Sequence, residues 1–436
     1  MFRPARTLVA MRARVRRTYY GWILAVVLGF TENVSWGVLM YAFSVLIAPT
    51  ALDLGWSRAE ISGALSVMIV VSGIAGLAVG RWLDEHGPRL LMTVGSIASV
   101  PLVIAWSQAR DLAFFYAVWV LIGIAFAMVN YGPAFATMIV WFRRNRSRAL
   151  TIVTLLAGLS STVFVPLTAW LVSVQGWRQA LVTLAIVLGA LTIVPHAVLL
   201  RRRPADIGLG VDGDAPDGGR SSAPASPEPS ASLREALRHP TFPWLASAFA
   251  LFALGVGVPV HLVAYLGDHG YSLAFAAVAT GGIGAAQVLG RLFFAPLERR
   301  FAPRTVSALI YAGQPIALVV LLLVPSELGV ILFVVLFGAA RGMETLLRST
   351  IIAGLYGPRR IASIAAVLTL ATTLTQALSP VSLGAVYDSV RSYVPGLWAL
   401  MLLSGIAVAA VYVGDRRPSR SSRAALPVSG DDAIPR

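Results

Sequence analysis

Apolar residues fall in runs of about 20, separated by short polar or basic segments, and each run is long enough to cross a bilayer as a helix. The runs and their breaks predict twelve spans. They are 20–48, 60–81, 90–107, 112–140, 149–174 and 179–200, then 242–266, 273–297, 305–325, 329–355, 362–386 and 394–414. Between the sixth and seventh spans the chain changes character. It opens Arg-Arg-Arg-Pro, continues rich in Gly, Asp, Ser and Pro, and carries a short segment at 233–238. That composition predicts a mobile polar linker with one surface helix ahead of the seventh span. The expected fold is an all-α polytopic membrane protein with twelve transmembrane helices in two six-helix bundles. The expected parts are an N-tail (1–19), a first bundle (20–200), a linker (201–240), a second bundle (241–414) and a C-tail (415–436).

Composition supports this pattern. Hydrophobic residues make up 57% of the 436 and charged residues 13%, against about 25% charged in a soluble domain. The sequence contains no lysine, so all 35 basic residues are arginine, and it contains no cysteine. Schiff-base and Walker-type phosphate chemistry are thereby excluded, as are disulfides, thiol nucleophiles and thiolate metal sites. The net charge of +15 reads as loop charge beside a membrane rather than as a nucleic-acid surface. Six arginines precede the first span, which is too long for a signal-peptide core and is expected to be retained.

Arginine placement predicts topology. With the N-terminus inside, the tails and inner loops hold 28 arginines and the outer loops hold Arg58, Arg110, Arg178 and Arg391, while Arg291, Arg341 and Arg348 fall within spans. The bias puts both termini and the linker on the cytoplasmic side. Abundant Arg and Ala point to a GC-rich genome and hence a bacterial inner membrane.

Several motifs lie between the spans. Gly80-Arg81-Trp82-Leu83-Asp84-Glu85-His86-Gly87-Pro88-Arg89 follows span 2. An acid ahead of a helix N-terminus and a tight basic turn can lock two spans together. A decayed copy, Ala295-Pro296-Leu297-Glu298-Arg299-Arg300-Phe301-Ala302-Pro303-Arg304, follows span 8. Aligning the two Pro-Arg pairs puts Arg299 where Asp84 stands and moves the acid to Glu298. The first copy resembles the loop 2–3 motif of the major facilitator superfamily, with Gly80, Asp84, Gly87 and Arg89 in register and Glu85 departing from it. Other tags recur in order: Tyr20-Gly21-Trp22, Gly55-Trp56-Ser57-Arg58, Trp141-Phe142, Gly176-Trp177-Arg178, His261 to Gly270, and Ser379-Pro380 with Tyr387-Asp388. Together they resemble the monocarboxylate-porter and oxalate/formate-antiporter-like branch of that superfamily. The Gly-Pro-Gly cluster of drug/proton antiporters is absent from span 5.

Ionisable residues in spans are costly and usually face a cavity. Gln287 and Arg291, four apart, share a helix face. An arginine fork there suits a carboxylate, and the resemblance implies a substrate-binding arginine in span 8; the alternative is an arginine that belongs to the loop motif. Arg341, Glu344 and Arg348 form a triad with a positive surplus. It reads either as a second anion contact through Arg341 or as a self-neutralising structural group. Glu32 and Glu344 are the candidate proton carriers, since a carboxyl in apolar surroundings can carry a proton. Asn130 and Tyr131, like Gln314 and Gln376, line the cavity or join helices. His261 and Asp388 are gating candidates by their family tags.

The expected function is secondary active transport of a small organic anion, most simply a monocarboxylate, by alternating access with proton coupling. The expected partners are protons and the bilayer, with no nucleic acid, no cofactor, no metal and a monomeric state. Anion exchange, or export of hydrophobic or cationic drugs, is the alternative. No HExxH, Gly-x-Ser-x-Gly or Asp-rich metal motif supports an enzyme.

Overall fold

The computed structural model describes residues 19–214, 238–356 and 361–417. Among the described residues twelve helices cross the molecule, and ten continuous helical stretches are long and apolar enough to span a membrane. One of them, Arg146–Leu199, is two spans, because Gly176 breaks it with φ +76°. The helices are α1 (Tyr20–Leu54), α2 (Arg58–His86), α3 (Pro88–Ser107), α4 (Leu112–Trp141), α5 (146–175) and α6 (177–199). The second half holds α7 (Phe242–Asp268), α8 (Leu273–Arg300), α9 (Pro303–Leu323), α10 (Glu327–Tyr356), α11 (Ile361–Val390) and α12 (Val394–Gly414). Several helices run past their apolar runs: α1 continues to Leu54 and α2 to His86. Backbone hydrogen bonding does not stop where the hydrocarbon stops, so polar end turns remain helical.

The two halves repeat at a spacing of 215 residues. Gly55 and Gly270 both take positive φ at the end of a span. Ser57 and Ser272 cap the next helices, accepting from the amides of Glu60 and Phe275. Asp111 and Ser326 accept from Phe114 and Gly329 at the start of α4 and α10. Gly176 and Arg391 break the chain with φ +76° and +56°. The guanidinium of Arg89 donates to the carbonyl of Ala197 (2.6 Å), and that of Arg304 to Tyr412 (3.1 Å). Each pair is the same device used twice, as expected of an internally duplicated transporter.

Contacts between the halves follow from this symmetry. α2 packs on α11, and α5 packs on α8. At the Arg58 end, a side chain at Gly384 of α11 would collide with the backbone of Ala59, so glycine permits the close approach. Toward the Arg-rich end, Gly76 and Gly80 of α2 face open space. The helices therefore converge at one end and part at the other. Large apolar side chains such as Ile74, Leu77, Leu292, Phe293 and Leu402 are exposed around the outside, where lipid would meet them.

Several helices are irregular at mid-depth, among them α5, which is interrupted at Leu159. α1 has a π-helical turn at Gly37–Tyr41, α7 a 3-10 turn at Leu254–Val256, and α4 is interrupted at Asn130. The Asn130 side chain accepts from the amide of Gly132 and restarts the helix. Irregular backbone at this depth is tolerated where it lines a cavity.

The start of the linker is folded rather than loose. Asp212 accepts from the amides of Arg143, Arg144 and Asn145, and Asp214 pairs with Arg144 at 2.5 Å. Those hydrogen bonds overcome the polar composition that predicts mobility. The expected surface helix at 233–238 lies almost wholly outside the described residues, as do 1–18 and 418–436.

Candidate functional site

A cavity of about 470 Å³ lies between the halves. α1, α2, α4 and α5 contribute its first wall, and α7, α8, α10 and α11 its second. The irregular turns of α1, α4 and α7 all reach it, through Met40, Tyr41, Asn130 and Val256. Lining positions match across the repeat: Ser72 answers Gln287, Phe126 answers Arg341 and Ser161 answers Gln376, each pair 215 apart. The shape is thus symmetric while the chemistry is not.

Arg341 is the one charged side chain among the described lining residues. Its Nη1 donates to Gln314 Oε1 (3.3 Å) and reaches the Phe252 carbonyl at 3.5 Å. The rings of Phe252 and Phe337 flank it at 5.6 and 5.7 Å. Those groups hold the guanidinium without neutralising it, which leaves a fixed positive charge available to an anion. Gln314 is fully buried behind the wall, where it also donates to Ser404.

Arg291 is placed differently. Gln287 lines the cavity but Arg291, one turn further along α8, does not. It reaches across to α5, where Nη1 donates to the Thr154 carbonyl at 2.9 Å, and its buried Nε has no hydrogen-bond partner among the described residues. In this conformation it braces the two halves. Tyr41 lies within electrostatic range of both Arg291 and Arg341.

Neither carboxylate faces the cavity directly. Glu32 is fully buried behind Trp36, whose indole donates to Oε2 at 3.1 Å, and Oε1 has no hydrogen-bond partner. Among the described residues, no cation lies within ion-pair distance of it. Glu344 feels both Arg348 and Arg341, without an ion pair within 4.0 Å to either. Arg348 instead donates to Thr369 at 2.9 Å and sits over the Phe249 ring. Asn130 lines the cavity, whereas Tyr131 packs its ring on Trp36 and Phe135. Gln376 lines it, as do Gly73 and Gly76.

Polar contacts join the halves at the narrow end. Arg58 of α2 grips Asp268 of α7 through two hydrogen bonds of 2.6 and 2.9 Å. Asp388 of α11 accepts from the amides of Arg58 and Ala59, capping α2 from the other half. Arg58 also stacks on Tyr387 at 3.6 Å and donates to the Tyr393 hydroxyl at 3.0 Å. His261 lies 2.8 Å from the Pro380 carbonyl through Nε2 and 2.9 Å from the Tyr393 hydroxyl through Nδ1. The carbonyl requires Nε2–H, so Nδ1 accepts from the tyrosine. At the wide end the loop motif makes no such bridge among the described residues. Asp84 is exposed and unpaired among the described residues, while Gly87 turns the chain with φ +79°. In the second half, Glu298 faces Arg417 at 3.5 Å, and Arg417 pairs with fully buried Asp415 at 2.8 Å.

Sequence reasoning missed the aromatic wall. Trp36, Tyr41 and Phe126 line the first half of the cavity, with Trp36 5.0 Å from Phe126 and 6.2 Å from Tyr41. An aromatic residue in an apolar helix reads as core or lipid-facing, so no local signal marks it. The Arg58–Asp268 pair was legible only as two separate tags.

The comparisons agree with this architecture. Residues 22–380 match the Major Facilitator Superfamily. Monocarboxylate transporter 13 of Bos taurus is 28% identical over 360 residues, covering 81% of this chain and 79% of that protein. Monocarboxylate transporter 11 of Homo sapiens is 30% identical over 308 residues, covering 65% of this chain and 59% of that protein. A bacterial homolog of the human lysosomal transporter Spinster, solved inward-facing and unoccupied, has TM-score 0.72 at 18% identity, covering 93% of this chain and 99% of its own. The family match runs from the first helix into the eleventh, so the chain belongs to the Major Facilitator Superfamily and is a multi-pass membrane transporter.

Proposed function

We propose that this transporter carries a monocarboxylate, held by Arg341 in the central cavity, and that a proton accompanies it. One observation carries the reading: the cavity presents one cation and no carboxylate among its described lining residues. A fixed charge with no ion-pair partner within 4.0 Å among the described residues attracts one anionic group and repels a cation, which speaks against the drug-exporter reading. The relatives named as monocarboxylate transporters support the same class. Of the two span carboxylates, Glu32 is the stronger proton carrier. Glu344 lies near two arginines, whereas only a proton is at hand to neutralise Glu32. The Arg-rich ends favour termini on the cytoplasmic side of a bacterial inner membrane. One chain supplies the whole cavity lining, which suits a monomer.

The test is uptake of radiolabelled pyruvate into proteoliposomes of the wild type, with an inward proton gradient, without one, and with unlabelled pyruvate preloaded. Gradient-stimulated uptake that excess pyruvamide does not inhibit is expected. Uptake only after preloading would replace symport with exchange. Equal inhibition by the neutral amide would contradict a carboxylate site.

A further inference from the structure

The two walls of the cavity differ in chemistry. The first half offers Trp36, Tyr41 and Phe126 together with Met40, Met68 and Ile69. The second half offers Arg341 beside apolar Val256, Pro259, Val260 and Ile283, and also Thr280, whose hydroxyl is buried, 2% exposed at the residue level, with no hydrogen-bond partner among the described residues. Some lining positions repeat across the halves, Phe126 and Arg341 among them, whereas Trp36 and Thr280 have no lining counterpart 215 residues away. We propose that the substrate is an amphipathic monocarboxylate bearing an aryl or comparably bulky apolar group, with its acid on Arg341 and Thr280 and its apolar body against the aromatic wall. The proposal rests on Arg341 as the carboxylate anchor and adds what occupies the rest of the cavity.

Volume favours this class. A cavity of about 470 Å³ holds roughly fifteen waters at about 30 Å³ each. A three-carbon acid displaces only a few of them and leaves the aromatic wall wet. An aryl acid displaces about twice as many and removes apolar surface from water on both sides of the contact. Ring edges and faces are already offered at the T-shaped Trp36–Phe126 pair, which suits a further ring.

Coupling favours it too. A ligand that touches only Arg341 interacts with the second half alone. Such a ligand has less differential affinity for the closed and open arrangements of the halves than one that touches both, and so less power to shift between them. A ligand with an acid at one end and a ring at the other touches both halves and gains most when they approach.

The experiment is calorimetric titration of the purified full chain with two matched pairs: lactate and 3-phenyllactate, and their amides. The acids differ only by a phenyl group, whose burial is worth about tenfold or more in affinity. The expected result is 3-phenyllactate binding at least ten times more tightly than lactate, with neither amide binding. Phe126→Ala should then shrink that ratio; the wild-type ratio stands alone if the variant misfolds. If lactate binds as tightly as 3-phenyllactate and its amide does not bind, the bulky-substrate inference is overturned and the monocarboxylate reading stands. If 3-phenyllactamide binds as well as the acid, or if neither acid binds, the carboxylate reading falls and this inference falls with it.

Discussion

At the scale of single residues, the sequence shows where charge is buried but not which way it points. Gln287 and Arg291 share a helix face, and that much is legible from their spacing. One helical turn is about 5.4 Å, enough to move Arg291 from the cavity wall to the backbone of α5. Arg341 was legible as a span arginine with a neighbouring acid. Its exposure to the cavity depends on how α10 is rotated by Gln314 and the phenylalanines around it, which no local pattern encodes. Glu32 stood out in sequence and is isolated in the fold. The account expects Glu32→Gln to keep the acceptor for Trp36 while losing the titratable group. Proton-gradient stimulation of uptake should fall at least tenfold, while exchange against preloaded substrate continues. Loss of both modes alike would assign Glu32 a structural role.

At the scale of elements, the twelve spans were legible because each needs about 20 apolar residues. The breaks in α1, α4 and α7 were not, because they arise where helices bend around a shared cavity. Closure of the narrow end rests on the contacts of Arg58, Asp268 and Asp388. Hydrogen bonds to charged groups are worth about 1.5–3 kcal/mol each, so Asp268→Asn should shift the conformational balance by about tenfold or more toward opening at that end. The chain has no native cysteine, so spin labels at Leu52→Cys and Leu328→Cys report the distance between the halves directly. A distance distribution unchanged by Asp268→Asn would remove the pair from the gate. The linker clamp makes a second expectation. Burial acts to raise the Asp212 carboxyl, but the amides of Arg144, Asn145 and Arg143 outweigh it and hold the group below the usual carboxylate range. A carboxyl depressed in the folded state stabilises above its unfolded value and loses that contribution as pH falls through its lower folded value. The clamp should therefore persist at neutral pH, and Asp212→Ala should speed hydrogen exchange at residues 143–145. Unchanged exchange there would mean that other contacts hold the loop.

At the scale of the whole molecule, the duplication was glimpsed in one decayed loop motif and extends through caps, turns and helix ends at a single spacing of 215. Part of it uses the same residues, as at Gly55 and Gly270 or Arg89 and Arg304, and part keeps the geometry with different ones: Asp111 is answered by Ser326, and Gly176 by Arg391. The second loop motif has not simply decayed. Its acid, Glu298, joins Arg417 and Asp415 in a compact cluster at the end of the second bundle. Breaking a buried ion pair by removing one partner costs about 3–5 kcal/mol. Arg417→Ala should lower the thermal stability of the detergent-purified protein clearly, and no shift would show the cluster to be dispensable. The same symmetry bears on the cavity: matched positions recur on both walls, and one arginine on the second half is the basis of the proposed preference for an anion. The most direct test of that claim is the initial rate of pyruvate uptake by Arg341→Ala beside Arg291→Ala, each normalised to folded protein in the vesicles. The account predicts that Arg341→Ala abolishes uptake while Arg291→Ala retains measurable uptake. Wild-type rates from Arg341→Ala would contradict it.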